Sequence, residues 1–173
     1  MGTLTVDNLN LKGSGSVSSV GKVLQVVSVT KTDTFSTSSN TFVDITGLSA
    51  SITPSNSSNK ILVQGMISVG SPNTGTSQFV IDRGGTDIFK GDSLGGTRRQ
   101  TTTGENSHGS STIANACIIG LDSPSSTSSL TYKIQMGVGG GGTHYIGRTV
   151  NNTDGGTEAG SSICTLTLTE IGA

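Results

Sequence analysis

Residues 162–171 read SICTLTLTEI, and this stretch decides the fold class. From Cys164 to Leu168 its apolar residues occupy every second position, which places Leu166 and Leu168 on one side of an extended chain and Thr167 and Thr169 on the other. A helix would need apolar residues at spacings of three and four, which no window of the sequence supplies without intervening Gly or hydroxyl runs. The stretch therefore predicts a β-strand with a core face and a hydroxylated face.

Runs of the same kind recur along the chain. They are separated by segments such as PSNSSN at 54–59 and SPSSTS at 123–128, whose backbone preferences favour turns. Eight to ten short strands with such turns are typical of an all-β protein, here an antiparallel β-sandwich or jelly roll. The runs lie at 23–29, 41–45, 48–53, 60–69, 78–82, 87–90, 111–119, 130–136 and 162–171.

Charge is sparse in this sequence. The 173 residues carry 10 Lys and Arg against 11 Asp and Glu, and charged residues make up 12% of the chain, compared with about 25% in an average soluble protein. A near-neutral chain without a basic stripe does not favour nucleic acid. No apolar run approaches the roughly 18 residues of a membrane span, and the start MGTLTVD does not resemble a signal peptide. We therefore expect neither a nucleic-acid partner nor membrane insertion.

Two cysteines, Cys117 and Cys164, lie within the apolar runs ACII and ICTL. Neither has a His or Cys neighbour at metal-binding spacing, and free cysteine is among the most buried residue types. The expectation is two buried free thiols, although the sequence does not decide whether they pair.

The first 20 residues differ in character from the rest. A short alternating piece with Leu4, Val6, Leu9 and Leu11 is followed by KGSGSVSSV at 12–20, a composition typical of a flexible linker. The piece is too short to bury its apolar residues alone, so docking onto another chain or onto its own oligomer is expected, and a frayed terminus is the alternative. Residues 1–20 are thus interpreted as an arm and linker, and residues 21–173 as the β-sandwich domain.

An ordered series of sequence blocks resembles fibre-like virion proteins of marine tailed phages, especially phages of cyanobacteria. The resemblance covers residues 21–173, and the opening MGTLTVDNL also looks like the start of such proteins. The blocks are GKVLQVV at 21–27, TFVD at 41–44, GL at 47–48, ITP at 52–54, SSNKILV at 57–63, LTYK at 130–133 and LTLTEI at 166–171.

This resemblance implies a structural protein of the virion. It implies a homotrimer with jelly-roll heads similar to the complement and tumour-necrosis-factor domains, attached through the arm residues to tail or capsid proteins. The head would serve host adsorption or capsid decoration, with a host surface glycan as a further partner. Apolar residues expected at the trimer axis are Val26, Leu62, Ile134, Leu166 and Leu168.

Catalytic motifs lack the context that their chemistry needs. Residues 91–94 read GDSL, the nucleophile block of one esterase family, whose chemistry also needs Asp three residues before a His on an α/β scaffold. No Asp precedes His108 or His144 at that distance. We therefore expect a turn at Ser93 and no enzymatic activity.

Cofactor and metal motifs are equally incomplete. Asp82, Asp87 and Asp92 recur every five residues, but this spacing does not match a calcium loop of the EF-hand type. The glycine run GVGGGGT at 137–143 lacks the Lys-Ser/Thr pair of a phosphate loop. No cofactor and no metal ligand set is predicted.

Two groups of residues remain as candidate receptor or glycan contacts. His144, Tyr145 and Arg148 offer an imidazole, an aromatic ring and a guanidinium within five residues, whereas Arg98 and Arg99 open the longest segment without a clear strand pattern. A lectin-like carbohydrate-binding module is the alternative function, and a solvated loop is the simpler interpretation of the Arg pair.

Overall fold

The structure is a computed structural model that describes residues 21–154 and 157–173. The arm residues Leu4, Val6, Leu9 and Leu11 lie outside the described residues. The regular elements of the described part are eleven strands: β1 (Val23–Lys31), β2 (Phe35–Thr37), β3 (Val43–Ile52), β4 (Lys60–Gly70), β5 (Thr76–Arg83), β6 (Thr86–Ile88), β7 (Thr103–Asn106), β8 (Ala114–Asp122), β9 (Leu130–Gly139), β10 (His144–Ile146) and β11 (Cys164–Ile171).

The strands form two antiparallel sheets. Sheet A has the main order β1-β11-β4-β8, with β10 pairing with the last residues of β4 and β2 pairing with β10. Sheet B has the order β3-β9-β5, and β6 and β7 pair with opposite ends of β5. Sheet A thus combines strands from both ends of the chain around β4, which is the strand order of a jelly roll. The predicted all-β sandwich is confirmed.

Strand β3 differs from the sequence prediction of two strands at 41–45 and 48–53. It is one strand interrupted by a shift of register between Asp44 and Ser49. Gly47 lies in this irregularity with a φ of 89°, a conformation that glycine adopts without steric cost. The break in alternation that suggested two strands is therefore an irregularity within one strand.

The core lies between the two sheets and follows the period of two in each strand. In β11, Leu166 and Leu168 point inward and are fully buried, and Ile134 from β9 faces them across the core with the same burial. The expectation that these three residues form a trimer axis is wrong, because the subunit's own core already covers them. Val26 and Leu62, the other two residues of that prediction, lie on the outer side of sheet A.

The cysteines occupy opposite sides of sheet A. Cys164 is buried in the core, whereas Cys117 is exposed, so the expectation of two buried thiols is wrong for Cys117. In β8 the inward positions belong to Ala116 and Ile118, and the residue between them must point outward. Both thiols are free.

A phenylalanine closes one edge of the sandwich. The Phe89 ring packs on Gly120 of β8 so closely that an added Cβ at Gly120 would lie 2.6 Å from a ring carbon. Phe89 has a φ of 57°, which is costly for an aromatic residue and is maintained here because its side chain packs against the core.

A buried carboxylate on β8 connects the two sheets. Asp122 accepts two hydrogen bonds of 2.7 Å from Nη1 of Arg83 on β5 and one of 2.7 Å from the hydroxyl of Tyr132 on β9. Burial and the bond to Asp122 raise the pKa of Tyr132 far above its ordinary value. The phenol therefore stays a donor to Asp122 at all physiological pH values.

A second buried carboxylate, Glu170 of β11, fixes the loop between β3 and β4. Its Oε1 accepts hydrogen bonds from the Ser55 amide at 2.7 Å, the Ser55 hydroxyl at 2.8 Å and Asn59 Nδ2 at 2.6 Å. Its Oε2 accepts a bond of 3.3 Å from Gln25 of β1. Burial alone would raise the pKa of Glu170, but the bonds from Asn59, Ser55 and Gln25 outweigh it and hold that pKa below its ordinary value.

Candidate functional site

The outer side of sheet A mixes apolar with hydroxyl and amide side chains, and no part of the described chain covers it. Adjacent strands bring side chains into three cross-strand rows on this side. These rows contain no charged residue, and the next row along contains the exposed Lys60 of β4. The rows are Val26-Thr169-Leu62-Leu121, Ser28-Thr167-Gln64-Ile119 and Thr30-Thr165-Met66-Cys117, in the order β1-β11-β4-β8. We call these twelve residues the outer apolar face.

The exposed apolar residues of the described chain concentrate on or beside this face. Ile119 is 75% exposed, Val26 58% and Leu121 51%, and Val23, Leu24 and Ile163 are exposed at its borders. Leu94 is the one exposed large apolar residue of the described part that lies elsewhere, in the loop after β6. Several exposed apolar residues on one side of a sheet are a common mark of an interaction surface, whereas single exposed residues are not.

A shallow depression of about 310 Å³ lies within the outer apolar face. Gly65 of β4 is among its lining residues, and the side chains of Met66, Cys117, Ile119 and Thr167 stand around it. The lining offers methyl groups, a thioether, a thiol, hydroxyls and the amide of Gln64, but no ionisable group other than the thiol. Such a surface suits packing against another apolar surface rather than the recognition of a charged ligand.

The predicted glycan contacts are only partly brought together. Tyr145 and Arg148 do meet, with the guanidinium carbon 3.8 Å from the ring centroid. His144 points to the opposite side of β10 and is fully buried, so it cannot touch a ligand with them. Arg148 already lies over one face of the Tyr145 ring, which leaves that face closed to a stacking sugar.

The arginine pair lies on the other side of the sandwich. Arg99 donates to Gln78 Oε1 at 3.1 Å and to the Val138 carbonyl at 3.3 Å, which holds it on the outer side of sheet B. Arg98 is exposed and donates to the Leu94 carbonyl within its own loop. The two groups of predicted contacts therefore do not form one site.

The positions of the serine, histidine and carboxylate side chains bear on the hydrolase and metal chemistries that the sequence analysis considered. Ser93 Oγ accepts a bond of 3.4 Å from the Gly95 amide within an exposed loop. Ser77 Oγ lies 2.7 Å from His144 Nδ1, and both side chains are fully buried. Over residues 21–154 and 157–173, no three His, Cys, Asp or Glu side chains cluster as metal ligands.

The imidazole of His144 is buried without full hydrogen bonding. Its Nε2 has no hydrogen-bond partner, and the glycine-rich loops around Gly75 and Gly142 pack above it. Burial lowers the pKa of His144, although the nearby backbone groups of Gly141 and Thr74 act in the opposite direction. The imidazole is therefore neutral in the folded protein at neutral pH.

Sequence reasoning missed the outer apolar face, although β8 carries a signal of it. The run at 116–121, ACIIGL, is apolar at both inward and outward positions. A strand of this type is common in sheets that are covered on both sides. The alternation of Thr and Leu in β11 concealed the signal, because that strand gives the face a hydroxylated column in its middle.

Comparisons with known proteins identify no family. No family model matches the chain, and no curated protein matches its sequence. Among solved structures, the chain is similar to a protein in the structure of infectious bursal disease virus, Gx strain, with 16% identity and a TM-score of 0.47. The match covers 98% of this chain and 42% of the viral one, so this chain spans less than half of that protein's length. At these values the likeness does not extend to a function.

No helix among the described residues is long and apolar enough to cross a membrane.

Proposed function

We propose that the chain is a non-enzymatic structural subunit of a phage virion, a homotrimeric fibre or spike protein. Residues 1–20 attach it to tail or capsid proteins, and the jelly-roll domain serves host adsorption or capsid decoration. The sequence blocks that resemble marine phage fibre proteins support the virion role. The observation that carries the proposal furthest is the uncharged outer apolar face, because a subunit that functions alone in water gains nothing from such a patch.

The polar groups of the domain also fit a structural role. The carboxylates of Asp122 and Glu170 accept hydrogen bonds that fix strands and loops. The Ser77–His144 pair is sealed in the interior, where no substrate reaches it. A trimer would multiply weak contacts of each subunit with the host surface into firm attachment.

Two measurements test this proposal. Light scattering coupled to size exclusion should give the mass of three chains for the full-length protein, and a monomer would refute the trimer. Immunogold electron microscopy of virions whose genome carries the gene should show label on the particles. Unlabelled particles would refute the virion role even if the protein is a trimer.

A further inference from the structure

One surface loop of the domain is exposed over its whole length and anchored at its two ends. Residues 90–98 follow β6, and all nine of them are exposed. Before the loop, Phe89 packs against the core, and after it the Thr102 amide donates to the Phe79 carbonyl at 2.8 Å. The loop can therefore change its conformation while the strands on both sides of it stay in place.

The hydrogen bonds that the structure describes for residues 92–98 are local. The Gly95 amide donates to Ser93 Oγ at 3.4 Å, and Nη1 of Arg98 donates to the Leu94 carbonyl at 2.9 Å. Leu94 is 74% exposed, and apart from the chain neighbours no described atom lies within 4 Å of the position that a Cβ at Gly95 would take. The backbone on both sides of Leu94 is thus detached from the sheets, as at the exposed loop tips where proteases cut folded proteins.

We propose that this loop is a proteolytic cleavage site, at which an endoprotease with an apolar specificity pocket hydrolyses the bond between Leu94 and Gly95. Water supplies the hydroxyl of the new Leu94 carboxyl group and a hydrogen of the new Gly95 amine. The exposed leucyl side chain is the recognition element, because a hydrophobic pocket of the protease takes an apolar residue before the cut. Gly95 brings no side chain into the protease cleft, and it can leave its φ of 75° for an extended conformation without steric cost.

A protease that prefers a basic residue finds a poorer site at Arg98, although this side chain is also exposed. The residues after the cut must be drawn into the protease as well, and the next one is Arg99. Its guanidinium donates to Gln78 Oε1 at 3.1 Å and to the Val138 carbonyl at 3.3 Å. These bonds to sheet B must break first, so Leu94 is the favoured position.

The cut domain remains one folded unit because of the way its strands pair. Eight of the nine strand pairings in the described chain join a strand before the loop to a strand after it, and the ninth is the β5–β6 hairpin. The core between the sheets is likewise built from both sides of the cut. Fragments 1–94 and 95–173 therefore separate only when the whole domain unfolds.

Chymotrypsin acting on the folded full-length protein, followed by mass spectrometry, tests the site. Leu121 is the matched position in the same chain, because it is 51% exposed but its strand is paired along β4. We expect the bond after Leu94 to be cut at least about a hundredfold faster than the bond after Leu121, since cleavage within a strand needs a larger opening of the fold. Leu94→Asp should abolish the first cut, and Leu121→Ser should leave it unchanged.

Size exclusion of the cut protein tests whether the fragments stay together. Both should elute at the volume of the uncut protein and separate only in denaturant. A first cut elsewhere within residues 21–173, a bond after Leu94 that survives, or fragments that separate without denaturant would overturn the inference. The inference goes beyond the proposed function and does not depend on it, because the mass of the uncut protein and the labelling of virions are measured separately.

Discussion

Replacing Glu170 with Gln should destabilise the domain by about 2–3 kcal/mol. Oε1 of Glu170 accepts three hydrogen bonds of 2.6 to 2.8 Å from Ser55 and Asn59, and all of them are charge-assisted. A hydrogen bond to a charged group contributes about 1.5–3 kcal/mol and a neutral one about 0.5–1.5 kcal/mol, so the loss is about 1 kcal/mol for each bond. The bonds share one acceptor and are not additive, which lowers the total.

In Glu170→Gln, the new side-chain amide also faces another donor, Nε2 of Gln25. Gln25 Nε2 donates both to Glu170 Oε2 and to the Thr53 carbonyl, at 3.3 and 3.2 Å. Gln25 cannot turn its amide to accept from the new side-chain amide of Glu170→Gln without opposing the Thr53 carbonyl with its own oxygen. One buried donor therefore stays unsatisfied in the variant, which keeps the expected cost at about 2 kcal/mol or more, within the range of about 1–3 kcal/mol for such a group.

Urea denaturation at fixed protein concentration measures this difference, with Glu158→Gln as the control. Glu158 is exposed and accepts one bond of 3.2 Å from Ser111, so its change should cost less than about 0.5 kcal/mol. Because the pKa of Glu170 is lowered on folding, its stabilising effect is present above the unfolded value near 4.5 and is lost as the pH falls through the folded value.

The gap between the unaltered protein and Glu170→Gln should therefore narrow below about pH 4.5. Equal losses in Glu170→Gln and Glu158→Gln, or a gap that stays constant from about pH 7 to about pH 3, would refute the assignment of Glu170 as the anchor of the β3–β4 loop.

Three further perturbations test other parts of the fold. Tyr132→Phe removes the buried bond to Asp122 and should cost about 1–2 kcal/mol in urea denaturation, and an unchanged midpoint would contradict a role in joining the sheets. Because burial lowers the pKa of His144, folding stability should fall as the pH decreases below the ordinary value of 6.5. His144→Gln should remove this dependence from melting curves at about pH 5 to 7. The same pH dependence in the variant and the unaltered protein would contradict the prediction. Gly120→Ala should destabilise the domain by at least about 1 kcal/mol through collision with the Phe89 ring, and the loss should shrink in a Phe89→Ala background; additive losses would argue against the close packing.

Local pattern was sufficient to predict the class of the fold, because the period of two in β11 and β4 states which residues share a side. The pattern did not predict the short strands β2 and β10, because each has three residues, too few to show a period. The irregularity at Gly47 led to the prediction of two strands where there is one.

The candidate site was less predictable for a different reason. The outer apolar face exists only because register aligns Leu62, Leu121 and Val26 across strands that are far apart in the sequence. A single strand reveals that a residue is apolar and on which side it lies, but not which neighbour covers that side. The same ambiguity led Ile134, Leu166 and Leu168 to be placed at a trimer axis when the subunit's own core takes them.

The pairing of β1 with β11 has a consequence for synthesis. Ser28 and Thr167 are hydrogen-bonded neighbours that stand 139 residues apart in the sequence, and β11 also separates β1 from β4 in the sheet. Until β11 leaves the ribosome, β1 and β4 each present an unpaired edge, and closing so long a loop is slow. The nascent chain therefore passes through a stage in which sheet A is divided and open to pairing with other chains. Strand β11, of 8 residues, completes the sheet, so a chain terminated before Cys164 should remain prone to aggregation rather than fold partially.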